Sequence, residues 1–144
     1  MKKWSIVATA LLFLTAASSA AVLPRMLLAG DVVVTVTYTG KGQVDDTHEI
    51  LVFLFDHPTP TAGSEPVGTQ ITTKSGGTVT FKDVQVSPVY VVMVYDEKAN
   101  YSGGEPPPPG APIGSYQKDG KPIPVTPGPD AKIKVSFDES VRWK

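Results

Sequence analysis

The sequence has 144 residues, with 13 Lys and Arg against 14 Asp and Glu, which gives a formal net charge of −1. It contains no Cys, which excludes disulfides, thiolate metal sites and the acylated cysteine of a lipoprotein. A nearly neutral chain without a clustered basic segment also lacks the charge pattern of a nucleic-acid-binding protein.

The first twenty residues have the order of a cleavable export signal. Lys2 and Lys3 precede an apolar run over residues 4–14, and small residues follow up to residue 20, as a signal peptidase requires. No second apolar run reaches the roughly 18 residues of a membrane span, so no membrane contact is expected after cleavage. We predict a secreted, periplasmic or cell-surface protein. Its expected parts are a signal peptide over residues 1–20, a lead segment over 21–30 and one domain over 31–144.

From residue 31 onward, apolar residues recur with the period of two that is typical of strands with one buried face. In residues 31–38, one face carries Val32, Val34, Val36 and Tyr38, and the other carries Thr35 and Thr37. Residues 78–82 and 132–137 are two-sided in the same way. Turns rich in Gly and Pro separate these segments. Weaker strand signals lie around residues 70–73, 113–116 and 123–126. The pattern predicts an all-β fold, an antiparallel sandwich of seven or eight strands.

Two segments, residues 50–55 and 89–95, are apolar at odd and even positions alike. If they are neighbours in one sheet, Leu51, Phe53 and Phe55 form an outer apolar surface with side chains of the second segment, among them Tyr95. Burying each large side chain contributes roughly 1.5 to 3 kcal/mol, so we expect this surface to be covered. The cover is either the protein itself, through its proline-rich loop or residues 22–28, or another subunit or partner protein.

The longest irregular stretch runs from residue 97 to residue 111 and contains four consecutive prolines, residues 106–109. Such a run favours an extended polyproline II conformation, and loops of this length often carry a site. We therefore place the working surface on the outer face of the two apolar strands and on the loop over residues 96–110, which also contains Tyr101.

The same loop holds oxygen ligands that suit calcium, namely Asp96, Asn100 and Glu105. Their spacing does not match an EF-hand, because Lys98 stands at the third position and Pro107 where the bidentate carboxylate belongs. We expect no metal or other cofactor. A cation-dependent or carbohydrate-binding module remains the alternative.

Three segments resemble the transthyretin-like sandwiches, which include the carboxypeptidase regulatory-like domains. They are residues 77–84 (Gly-Thr-Val-Thr-Phe-Lys-Asp-Val), residues 87–92 (Ser-Pro-Val-Tyr-Val-Val) and residues 126–135 with their Pro-Gly turn. Residues 90–120 are also similar to an uncharacterised family of small exported bacterial proteins. The resemblance implies a transthyretin-like or immunoglobulin-like sandwich in which the two apolar segments are neighbours.

No residues in the sequence combine into a catalytic arrangement. Asp56 and His57 resemble half of a catalytic pair, but no serine stands in a nucleophile-elbow context. His48 and His57 flank one strand about 30 Å apart, so they cannot share a metal and are expected to be solvated. The hydroxyisourate hydrolase among the transthyretin-like relatives needs more histidines and a different chain ending. We therefore expect no enzyme, and predict a binding or assembly module with a protein partner or self-association.

Overall fold

The computed structural model describes residues 29–144, which form nine strands and no helix. The predicted signal peptide and almost all of the lead segment lie outside the described residues. Within the described part, no helix is long and apolar enough to cross a membrane. The strands are β1 (Gly30–Tyr38), β2 (Ile50–Phe55), β3 (Gly68–Thr72), β4 (Gly77–Val84), β5 (Tyr90–Tyr95), β6 (Ile113–Ser115), β7 (Gln117–Lys118), β8 (Lys121–Pro122) and β9 (Lys132–Phe137).

Seven of these strands form two sheets that pack face to face, which confirms the predicted all-β sandwich. The first sheet has the order β4-β1-β9, the second has the order β3-β2-β5-β6, and β7 and β8 make a separate hairpin. All pairs are antiparallel except β1 and β9, which run parallel. The last strand of the first sheet, β9, thus lies beside the first strand, β1. The alternation of apolar residues does not predict this pairing.

The main core fills the space between the two sheets. In β1 the alternation holds as predicted, with Val32, Val34 and Val36 fully buried and the intervening residues partly exposed. The second sheet contributes the even-numbered residues of β2 and the odd-numbered residues of β5. At one end of the core, the rings of Tyr38 and Tyr95 stack with their centroids 4.2 Å apart.

Of two weaker strand predictions, one is confirmed and the other is wrong. Residues 113–115 form β6 as expected, at the edge of the second sheet beside β5. Residues 123–126 do not form a strand, although Val125 makes an isolated bridge to Val89. The β7–β8 hairpin lies just before it and turns at Asp119 and Gly120, which both have positive φ.

Candidate functional site

The outer face of β2 and β5 is as apolar as the inner face. Leu51 pairs with Val94 and Phe53 pairs with Val92, so these side chains point together away from the main core. With Phe55 they form a second apolar cluster in which Leu51, Phe53, Phe55 and Val94 are buried and Val92 is partly buried. Every residue of β2 is buried, as its unbroken apolar run predicts, whereas Val92 on β5 stays partly exposed on the outer face.

The cover over this face is provided largely by the proline loop, which we define as residues 96–112. The Tyr101 ring packs against Phe53, with 6.3 Å between centroids, and Ala111 joins the same buried cluster. Gly103 lies against Leu51 so closely that a Cβ there would be 2.8 Å from Leu51 Cδ2. The proline loop therefore buries much of the outer apolar face that the sequence predicted would be covered.

A buried carboxylate fixes the start of the proline loop. Asp96 is almost fully buried. Its Oδ1 accepts the N–H of Asn100 at 3.1 Å, and its Oδ2 accepts the N–H of Tyr101 at 3.0 Å. The Tyr101 hydroxyl then donates to the carbonyl of Glu105 at 2.9 Å, and burial raises the pKa of Tyr101 to about 12. These hydrogen bonds fix the position of Tyr101 over Phe53.

The C-terminal tail, residues 138–144, holds the far end of the same loop. Trp143 donates its N–H to the carbonyl of Ala111 and accepts the N–H of Gly110, at 2.9 and 2.8 Å. Arg142 binds Glu97 at 2.9 Å and the Gly110 carbonyl at 2.6 Å. The guanidinium lowers the pKa of Glu97, and the carboxylate raises the pKa of Arg142. One isolated antiparallel bridge, between Pro112 and Arg142, also joins the tail to the end of the proline loop.

A second loop, residues 56–67 between β2 and β3, rises on the other side of the outer face. His57 binds Asp56 through Nδ1 and lies 2.9 Å from Ser64 Oγ through Nε2. Ser64 Oγ also accepts the N–H of Thr61 at 2.8 Å, and the imidazole packs edge-on against Phe55. His57 thus links two parts of this loop, while its side chain stays 39% exposed to solvent.

Between these two loops the outer face remains open as a groove of about 280 Å³. Its floor is apolar, and the aromatic side chains of Tyr101 and Trp143 also line it. Two carboxylate residues lie along the groove, Glu65 from one loop and Glu105 from the other. Neither takes part in the salt bridges found among residues 29–144. The floor consists of Phe53, Phe55, Val92, Val94 and Ile113.

The structure brings together only part of the predicted interaction surface. Phe53, Phe55 and Tyr101 line the groove, whereas Leu51 is fully buried beneath the proline loop. Tyr95 points the other way, into the main core, where it stacks on Tyr38. The reason is register, because Tyr95 pairs with Ile50 and shares its inward face. Tyr95 is therefore not part of the outer surface.

The three oxygen-bearing residues considered for calcium do not converge on one point. Both carboxylate oxygens of Asp96 are occupied by backbone N–H groups, and Asn100 supplies one of those donors. Glu105 lies along the groove instead. Among the described residues, no three His, Cys, Asp or Glu side chains come close enough to hold a metal ion.

Sequence reasoning missed one wall of the groove, residues 60–66 with Ser64 and Glu65, and it also missed Trp143. None lies in a periodic segment. A tryptophan next to an arginine at the end of a polar tail was the one available signal for Trp143, since large aromatic side chains are seldom left free in water.

The comparisons with known proteins supply no functional relative, so a functional conclusion depends on the groove. No protein-family model matches the sequence, and no curated protein matches it. One solved structure is similar over 75% of this chain and 92% of its own length, the alternative pilotin from the type II secretion system of Vibrio cholerae. The identity is 14% and the TM-score is 0.22, values at which a likeness carries no functional argument.

Proposed function

We propose that this protein is an exported, non-catalytic binding module that holds an extended segment of a partner protein in the groove over β2 and β5. The observation that carries the proposal is the groove itself, an apolar floor left open between two loops that are both fixed by hydrogen bonds. A preformed groove avoids the ordering cost that a flexible site must meet on binding.

The chemistry of the lining indicates which segment fits. Aromatic and branched side chains on the floor favour large apolar residues, and aromatic anchors in such pockets commonly carry most of the binding energy. Glu65 and Glu105 along the groove favour a partner segment with a basic residue.

The remaining parts of the proposal come from the sequence. The leader-like residues 1–20 support a location outside the cytoplasm, in the periplasm, at the cell surface or in the medium. The strand order and the three motifs quoted above support a relationship with the transthyretin-like sandwiches, whose members we would expect to share the topology of the two main sheets.

The test is selection of peptides from a random heptapeptide library on the purified protein, followed by calorimetry on the enriched sequences. We expect peptides with several large apolar residues and one Lys or Arg. Trp143→Ala, which removes one wall, should weaken binding at least about tenfold. Ile71→Ala is the matched control, because Ile71 is 44% exposed on β3 of the same sheet but lies outside the groove.

Two results would contradict the proposal. Peptides that bind Trp143→Ala and the unchanged protein equally would place the binding surface elsewhere. If no peptide binds but an oligosaccharide panel yields a ligand that Trp143→Ala loses, the groove recognises carbohydrate, which is the alternative predicted from the sequence.

A further inference from the structure

We propose that the partner segment is rich in proline and binds in the groove as a polyproline II helix. This inference rests on the proposed binding groove and names the class of its ligand. A polyproline II segment has three residues per turn and no internal hydrogen bonds. It docks through its side chains, whereas an added β-strand docks through hydrogen bonds of its main chain.

The groove floor offers a bound segment no main-chain hydrogen bonds. β2 lies between β3 and β5, and β5 lies between β2 and β6, so each floor strand has a hydrogen-bonded neighbour on both sides. The N–H and C=O groups of a sheet point towards the neighbouring strands, within the sheet. A segment that lies on the outer face therefore cannot join this sheet as a further strand.

The edges of the same sheet give no site for strand addition in the groove. At the β6 edge, Ile113 donates its N–H to the carbonyl of Val141 in the C-terminal tail at 3.0 Å. Gly110 and Trp143 continue these hydrogen bonds beyond the end of β6. At the opposite edge, no residue of β3 lines the groove. The partner segment must therefore bind without extending the sheet.

Proline residues stand in both walls of the groove. Pro60 and Pro66 belong to the loop between β2 and β3, and Pro106 and Pro107 belong to the proline loop. A proline has no N–H to donate, so these positions cannot bind the carbonyl groups of an added strand. They offer apolar rings instead, which suits a ligand that docks through its side chains.

Aromatic rings supply the surface on which polyproline II segments dock. Proline-rich segments bind in aromatic-lined grooves, and their conformation is largely formed before binding. Little conformational freedom is then lost in the complex. The aromatic residues that line this groove are Phe53, Phe55, Tyr101 and Trp143.

The charges of the groove favour a basic residue in the same segment. Glu65 and Glu105 are both exposed, and no Lys, Arg or His is among the described residues that line the groove. Neither carboxylate takes part in the salt bridges found within residues 29–144. The expected ligand has two prolines three positions apart, which places them on one side of the helix, and one Lys or Arg.

The heptapeptide selection on the purified protein tests this conformation. We expect the enriched peptides to carry two prolines three positions apart, each preceded by a large apolar residue. Calorimetry then compares the most enriched peptide with a copy in which both prolines are replaced by alanine. The copy should bind at least about fivefold more weakly, because it loses more conformational freedom on binding. Ile71→Ala should keep this preference, since Ile71 lies outside the groove.

A charge reversal tests the basic residue. In Glu65→Lys with Glu105→Lys, the enriched peptide should bind more tightly once its own Lys or Arg is replaced by Glu. An unchanged preference for the basic peptide would overturn this part of the inference.

The inference and the proposed function fail separately. Enriched peptides that lack proline, or that bind equally well after their prolines are replaced, would overturn the polyproline II inference. If their binding still depends on Trp143, the groove remains the binding surface. A selection that enriches no peptide would overturn both proposals.

Discussion

Gly103 lies directly above Leu51, in a contact so close that the proline loop has no room for a side chain at this position. A Cβ on Gly103 would lie 2.8 Å from Leu51 Cδ2 and 3.5 Å from the Phe53 ring, and the backbone φ is +84°. Both the space and the backbone conformation favour glycine here. This contact sets the height of the loop over the outer face, and with it the depth of the groove.

Gly103→Ala should therefore lower the free energy of unfolding by about 1 to 3 kcal/mol, because the methyl group must lift the loop from Leu51. Chemical denaturation measures the change. Gly104→Ala is the matched control, since nothing lies within 4 Å of a Cβ there and its φ is not positive. Equal losses for the two variants would contradict the packing of the loop on Leu51.

Calcium should leave the melting temperature unchanged. The buried carboxylate of the loop, Asp96, already accepts the N–H groups of Asn100 and Tyr101 with its two oxygens. A cation would have to break these hydrogen bonds before it could bind. Thermal unfolding in excess calcium and in excess chelator tests this directly. A calcium-dependent rise in Tm that Asp96→Asn removes would establish the cation-dependent alternative in place of our account.

Alkaline pH should destabilise the protein through two buried tyrosines. Burial raises the pKa of Tyr101 to about 12, and burial together with the Glu139 charge raises the pKa of Tyr38 to about 12, from an ordinary value of 10.0. The unfolded chain loses these protons first, so the stability they contribute is fully present below pH 10 and declines as pH rises towards 12. Denaturation midpoints across this range should fall, and Tyr101→Phe should reduce the slope. A flat profile would contradict the burial of Tyr101 beneath the loop.

Ser64 should be unreactive, although Asp56, His57 and Ser64 form a chain of hydrogen bonds like that of a serine hydrolase. The Ser64 hydroxyl already accepts the N–H of Thr61, and the N–H of Ser64 is bonded to the Thr61 carbonyl. That N–H is therefore not free to stabilise an oxyanion. A fluorophosphonate probe should not label the protein. Labelling that His57→Ala abolishes would mean that the protein is an enzyme.

The parts of the fold that depend on local pattern could be predicted from the sequence. The alternation of Val32, Val34 and Val36 predicted a strand with one buried face. The unbroken apolar runs at residues 50–55 and 89–95 predicted two strands covered on both sides. Counting alternate positions along those runs would also have assigned Tyr95 to the inner face with Met93.

The parts that depend on long-range contacts could not be predicted in this way. The sequence assigned Tyr101 to the outer surface with Phe53 and Phe55, but it did not indicate that Trp143, in an irregular segment, lines the same groove. The parallel pairing of β1 with β9 is likewise a property of the whole topology. The β7–β8 hairpin is different, because the Asp119-Gly120 turn is a strong local hairpin signal.

The central claim is that the groove over β2 and β5 is the binding surface. The most direct measurement is a methyl-labelled NMR spectrum of the full chain, titrated with a peptide selected for binding to it. We predict that the methyl signals of Val92 and Ile113, which line the groove, shift on titration. The methyl signals of Val67 and Ile71 should not shift. These two residues lie outside the groove, on or beside β3, and are 42% and 44% exposed. Shifts at Val67 and Ile71 with none at Val92 and Ile113 would contradict the account.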